Sequence, residues 1–184
     1  MNAVESFTLA PGYEISRVIR GGWQLAGGHG PVDEAAAIED MAAFSDAGIV
    51  TFDCADIYTG VEELSGRFRA VYAARRGEAA LARLKIHTKF VPDLHMLARV
   101  DRGYVQSVID RSLRRLGQER LDLVQFHWWD YAVPGCIEAA LWLTELQRAG
   151  KIDLIGGTNF DTPHLEALAA ASASRWGEIG RAHV

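Results

Sequence analysis

Residues 33–53 read DEAAAIEDMAAFSDAGIVTFD. Asp33 suits a helix N-cap, and Ala37, Ile38, Met41 and Phe44 recur at helical spacing behind it. Gly48 suits the left-handed residue that ends a helix, and the apolar strand IVTFD follows it. The same helix, glycine and strand recur along the chain. Glu62 to Arg76 carries Leu64, Phe68, Val71 and Tyr72, then Gly77 and, after a short linker, LKIHTKF. Asp101 caps a helix with Val105, Val108, Ile109, Ser112, Leu113 and Leu116, closed by Gly117 before LDLVQFH. Ile137, Ala140, Leu143 and Leu146 mark a last helix, ending at Gly150 before KIDLIGG. With SRVIRGGWQL ahead of the first helix, five strands are expected. Strands alternating with helices imply right-handed βαβ units and a parallel sheet, so the class is α/β.

The 184 residues are 49% hydrophobic and 23% charged, which excludes a disordered or low-complexity chain. A net charge of −5 provides no basic footprint for nucleic acid or an anionic membrane surface. No apolar run approaches the ~20 residues that cross a bilayer. The N-terminus has no basic-then-apolar signal pattern, so a soluble, cytoplasmic domain is expected. Cys54 and Cys136 cannot build a disulfide scaffold or a four-ligand zinc site. From Gly48 to Gly150 three units occupy 102 residues, or 34 each. Five such units fit this chain, as in an open flavodoxin-like sheet, whereas eight need about 270 residues, near the ~250 of a closed (β/α)8 barrel. Length alone favours the open sheet.

Binding and catalytic groups of parallel α/β folds gather at the carboxyl ends of strands. Three consecutive strands here end in Asp53, Lys89 and His127. The lysine is informative, because the chain has only Lys85, Lys89 and Lys151 against sixteen arginines. A compact ammonium is suited to that rim. Alternation puts Thr51, His87 and Gln125 on the same face, two residues earlier, as a hydrogen-bonded layer beneath the three ionisable groups. Tyr58 follows Asp53 by five residues on the loop leaving the second strand. A phenol with a pKa of ~10 is a poor acid unless a cation stabilises its phenolate. Lys89 is placed to do so, Asp53 to hold Lys89 charged, and His127 to fix a substrate oxygen. The four make a proton-donating site. Metal binding, the competing use of Asp and His, lacks a His-x-x-x-His or Cys-x-x-Cys pair, so no metal is expected. Cys54 reads as a packing residue.

The motifs RGGWQLAG, FDCADIYTGVEELSGRF, IHTKF, SLRRLGQERLDLVQFHWWDY and LQRAGKIDLIGGTNFDTPHLEAL occur in the order and spacing of an aldo-keto reductase. The resemblance spans roughly residues 14 to 172. It implies a (β/α)8 TIM barrel, here about the first five β/α units, over residues 1–174. It also implies reduction of a small-molecule aldehyde or ketone with a nicotinamide cofactor, usually NADPH and with NAD also open. Consistent with that cofactor mode, no Rossmann fingerprint or Walker loop occurs. Carried over residue by residue, the catalytic tetrad falls on Asp53, Tyr58, Lys89 and His127, with Tyr58 the general acid. Gly22, Trp23, Asp53, Thr158 and Asn159 fall at cofactor-contacting positions, and Trp23, Trp128 and Trp129 would wall the substrate pocket. The alternative implied by the same fold is a regulatory or binding subunit, of the sort associated with potassium channels.

The resemblance stops after DTPHLEALAA. ASASRWGEIGRAHV has no convincing strand, and its glycines and lack of apolar periodicity argue against a helix. Glu178 to Val184 match a reading-frame translation of a common sequencing-library adapter. Residues 175–184 are therefore expected to be foreign to the fold. Five strands of an eight-stranded barrel leave two open edges, so such a fragment is expected to fold poorly or self-associate.

Overall fold

The computed structural model describes residues 4–28 and 30–176. Residues 177–184, most of the segment expected to be foreign, lie outside the described residues. Seven strands and six α-helices occur among the described residues. An antiparallel hairpin, β1 (Ser6–Ala10) and β2 (Tyr13–Ser16), comes first, and it was not expected from the sequence. Five parallel strands follow: β3 (Arg20–Gly21), β4 (Thr51–Asp53), β5 (Lys85–Phe90), β6 (Leu121–Phe126) and β7 (Ile152–Gly157). Their order in the sheet is strictly sequential. A flavodoxin-like sheet reverses direction at a switch point, and this one does not. Sequential parallel strands with their helices on one face are the arrangement of a (β/α)8 barrel.

The helices are α1 (Glu34–Asp46), α2 (Val61–Arg76), α3 (Glu78–Leu81), α4 (Arg102–Leu116), α5 (Cys136–Arg148) and α6 (Thr162–Trp176). Asp33 and Asp101 cap α1 and α4 as expected, accepting from the backbone N–H groups of Ala36 at 3.0 Å and Tyr104 at 2.8 Å. Gly48, Gly77, Gly117 and Gly150 all have positive φ just past a helix, which a residue bearing Cβ adopts only under strain. Val105, Val108, Ile109, Ser112 and Leu116 are buried, as the spacing of α4 requires.

Three expectations are corrected. Phe44 and Ile137 are exposed rather than buried, and Phe44 lies under the Arg20 guanidinium at 5.4 Å from its ring centre. The stripe of α1 facing the core instead runs through Ala42 and Ser45. The strand expected over SRVIRGGWQL is the two-residue β3, because a 3-10 turn takes over at Trp23–Ala26. Helix α6 runs through Trp176, into the stretch expected to be non-helical. The alanine-rich run AAASAS supplies intrinsic helix propensity where apolar periodicity is missing.

Side chains of the sheet alternate between two environments. Phe52, Ile86, Phe90, Val124 and Phe126 join the main core beneath α1, α2, α4 and α5. The opposite face carries Thr51, Asp53, His87, Lys89, Leu123 and Gln125. At the end where the strands begin, the hairpin covers this face, packing Tyr13 and Ile15 on Leu123. Ser16 and Thr51 exchange hydrogen bonds there, at 2.9 and 3.1 Å, and the Tyr13 hydroxyl lies 3.1 Å from His87 Nε2. The opposite end, where the strands finish, is left to polar groups. No helix among the described residues is long and apolar enough to cross a membrane.

Candidate active site

The residue following four of the five parallel strands ties back to a neighbouring strand. The N–H groups of Gly22, Cys54, His127 and Thr158 donate to the carbonyls of Asp53, His87, Phe90 and Phe126, at 2.7, 2.8, 3.0 and 2.9 Å. The loops that leave the sheet therefore start from fixed positions. Gly22 is required by space: a Cβ there would lie 2.8 Å from the Asp53 carbonyl oxygen and 2.9 Å from Val61 Cγ1.

Lys89 Nζ donates to both carboxylate oxygens of Asp53 at 2.7 Å and to the Cys54 carbonyl at 2.8 Å. All three ammonium donors are engaged. Gln125 Nε2 adds a fourth bond, to Asp53 Oδ1 at 2.9 Å. The expected polar layer thus divides. Parallel pairing sets Lys89 level with Gln125 and Asp53 level with His87, so Gln125 reaches Asp53 directly. Thr51 and His87 stay below and bond the hairpin.

The Tyr58 ring centre lies 5.4 Å from Lys89 Nζ, and the Trp23 ring meets Tyr58 edge-on at 5.1 Å. Burial, then the Asp53 charge, raises the phenol above its ordinary pKa. Cys54 is buried, and burial pushes its thiol up, which suits a packing residue.

His127 follows β6 on the same face. Its Nδ1 lies 3.4 Å from the Thr158 carbonyl oxygen and 3.5 Å from Asn159 Nδ2. Its Nε2 is buried with no hydrogen-bond partner among the described residues. Asn159 has φ 61°, a left-handed backbone that asparagine tolerates better than most residues. Trp129 packs edge-on against His127 at 4.5 Å, donates to the Pro92 carbonyl at 2.7 Å and remains 47% exposed. Trp128 departs from its expected place. It is one residue out of phase with His127, is buried in the helix-side core against Phe126, and donates to the Val133 carbonyl at 3.2 Å. Trp23 and Trp129, both exposed, stay at this end of the sheet.

The sequence profile of the Aldo/keto reductase family matches residues 17–177. The chain belongs to that family. It is similar to the aldo-keto reductase YhdN of Bacillus subtilis, 33% identical over 167 residues covering 88% of this chain and 48% of YhdN. It is also similar to a 6-dehydroglucose reductase of Novosphingobium aromaticivorans, 33% identical over 168 residues covering 85% of this chain and 52% of that protein. The fold matches the crystal structure of a thermostable aldo-keto reductase, Tm1743, with a TM-score of 0.73 at 26% identity, covering 91% of this chain and 58% of that one. The chain spans about half the length of the curated relatives it matches.

A buried group of this chain was not anticipated from the sequence. The Glu62 carboxylate is fully buried. It accepts from Thr88 Oγ1 at 2.7 Å and from Arg115 Nη1 at 3.3 Å. Asp56 is buried beside it, accepting from the Val91 N–H at 3.2 Å, with Arg111 at 3.7 Å. Burial and the Glu62 charge outweigh that guanidinium and push the Asp56 carboxyl up to about 7. One signal was present: Glu62 stands three residues before Ser65 and ten before Tyr72, on the buried stripe of α2.

Proposed function

We propose that the protein is an NADPH-dependent, cytoplasmic oxidoreductase that reduces small aldehydes or ketones to alcohols, with Tyr58 as general acid. The observation that carries this reading is the Lys89–Asp53 ion pair at the strand ends, with the Tyr58 ring beside it. The chemistry supplied by a bound reduced nicotinamide cofactor is hydride delivery to the carbonyl carbon. Gly22, Trp23, Asp53, Thr158 and Asn159 are the residues that would hold it. Two features of the site fit a cofactor bound together with a carbonyl substrate. A buried polar atom left without a partner costs about 1–3 kcal/mol, so the orphaned His127 Nε2 favours a ligand oxygen. Gly22 presents bare backbone beside Asp53, allowing close approach.

In this reading His127 Nε2 orients the carbonyl oxygen beside Tyr58. The raised phenol holds its proton at neutral pH and gives it to that oxygen as negative charge develops there. Lys89 then faces the phenolate, and Asp53 holds Lys89 in place. Trp23 and Trp129 form the apolar walls that admit the substrate's side group.

Tyr58→Phe is the test. Turnover of an aromatic aldehyde with NADPH should fall by about 100-fold or more, while NADPH binding, read by tryptophan fluorescence quenching, stays at the wild-type level. Unchanged turnover removes Tyr58 from its role.

A further inference from the structure

Tyr58 sits in the middle of the loop between β4 and α2, after the buried residues Cys54, Ala55 and Asp56. Inside it, the Tyr58 N–H donates to the Ala55 carbonyl at 3.0 Å and the Val61 N–H to the Tyr58 carbonyl at 3.1 Å. Ile57 on the same loop is 44% exposed. Lys89 and the Val91 N–H hold the first half of the loop through the Cys54 carbonyl and Asp56 Oδ1, and α4 adds a brace that reaches past Tyr58. Arg115 Nη1 donates to the Asp56 carbonyl at 3.2 Å, two residues before Tyr58, and to Glu62 Oε2 at 3.3 Å, four residues after it. Its Nε pairs with Glu63 Oε1 at 2.8 Å. One planar guanidinium thus joins both ends of the loop.

We propose that Arg115, with Glu62 as its buried counter-ion, is a positioning residue that holds Tyr58 against the Lys89–Asp53 pair. This deepens the reading of Tyr58 as the general acid and rests on it. The geometry suits arginine specifically. A guanidinium offers five donors in a fixed fork, and an ammonium reaches one of the two loop ends without the other. Glu62 is anchored from its other side by Thr88, the residue before Lys89 on β5. The brace behind Tyr58 and the cation in front of it therefore hang from adjacent residues of one strand. Helix α4 can approach so closely because Gly66 of α2 faces it: a Cβ at Gly66 would stand 2.2 Å from the Arg115 carbonyl oxygen.

The test follows Tyr58 directly, in the whole chain labelled with 13Cζ-tyrosine. Five tyrosines give five signals, and Tyr58→Phe assigns the one that matters. Tyr13, buried against His87 at the opposite end of the same sheet face, reports folding within the same spectrum. In Arg115→Lys the Tyr58 signal is expected to broaden or split, and its titration to move toward that of a free tyrosine, with Tyr13 unchanged. Glu62→Gln should do the same. A Tyr58 signal of wild-type width and titration in Arg115→Lys overturns the proposal, as does equal loss of the Tyr13 signal, which would make Arg115 a general element of packing. Where wild type reduces an aldehyde, kcat in Arg115→Lys should fall by about 10–100-fold with the KM for NADPH unchanged. A wild type that reduces no carbonyl, yet whose Tyr58 signal responds to Arg115→Lys, removes the proposed activity and leaves the positioning role standing.

Discussion

Lys89 reaches Asp53 diagonally. In the parallel register Lys89 is level with Gln125 and Asp53 with His87, yet Lys89 Nζ lies 2.7 Å from both carboxylate oxygens. The unbranched stem crosses one pair of residues, and a bond to the Cys54 carbonyl fixes its end point. Three convergent bonds on one nitrogen are something a planar guanidinium cannot reproduce. Lys89→Met and Lys89→Arg should therefore both lower carbonyl-reduction kcat, by about 100-fold or more. Lys89→Met should also lower unfolding free energy by about 1–3 kcal/mol, because among the described residues Asp53 keeps only Gln125 as a side-chain partner. Urea denaturation beside steady-state kinetics reads both effects. Full activity in Lys89→Arg would show that charge alone suffices.

The strand ends were legible in the sequence because position in a βα unit is set by a strong local signal: an apolar run, then a polar residue, after a glycine-stopped helix. Asp53, Lys89 and His127 all stand where that signal places them. What surrounds them was less legible. Whether Gln125 or His87 meets Asp53 depends on the stagger between strands, which no single strand encodes. Trp128 was misplaced for a simpler reason. His127, Trp128 and Trp129 alternate across the chain, so one of the two tryptophans had to enter the helix-side core. The hairpin carried a signal in its Pro11-Gly12 turn between FTLA and YEIS. Its role as the floor of the sheet is a long-range contact with Thr51 and His87 that only the fold supplies. Arg115 looks like an ordinary helix-surface charge until α2 and α4 are brought together.

That approach of α2 and α4 sets a second prediction. Gly66→Ala adds a methyl group at a point 2.2 Å from the Arg115 carbonyl oxygen and 3.1 Å from the Leu116 carbonyl carbon, both backbone atoms that cannot swing aside. Alanine is otherwise the better helix former by about 1 kcal/mol, so propensity and packing oppose each other here. Packing should win. Overpacking costs typically about 1–3 kcal/mol, and a backbone contact this short belongs at or above the top of that range. A lowered melting temperature in Gly66→Ala is the expected result. An unchanged or raised one would mean that the two helices separate freely.

The sheet ends in two unpaired edges among the described residues, because β3 bonds only β4 and β7 bonds only β6. Parallel strands with free N–H and C=O groups recruit further strands. The 184-residue chain should therefore associate as its concentration rises through about 10 μM to 1 mM. Sedimentation velocity across that range reads it. A single species with the mobility of a monomer at every concentration would show that these edges are protected.

His87 and Asp56 give stability opposite dependences on pH. Burial pulls the His87 imidazole down from 6.5 to about 4, so the folded protein keeps it neutral while the unfolded chain takes up a proton. Its contribution is complete above pH 6.5 and is lost as pH falls through 4, about 3 kcal/mol at ~1.4 kcal/mol per pKa unit. Burial pushes Asp56 the other way, from 3.8 to about 7. The folded protein holds that proton while the unfolded chain releases it, so this contribution is complete below pH 3.8 and is lost as pH rises through 7, about 4 kcal/mol. Between pH 4 and 6.5 the two slopes oppose each other, and the wild-type profile should be nearly flat with respect to this pair. Asp56→Asn should unmask the histidine, making the protein steadily more stable from pH 4.5 to 6.5. His87→Gln should unmask the carboxyl and reverse that trend. Urea midpoints at pH 4.5, 5.5 and 6.5 for the three proteins are sufficient. Asp56→Asn and wild-type profiles of the same slope would show that Asp56 ionises in the folded protein as it does in water.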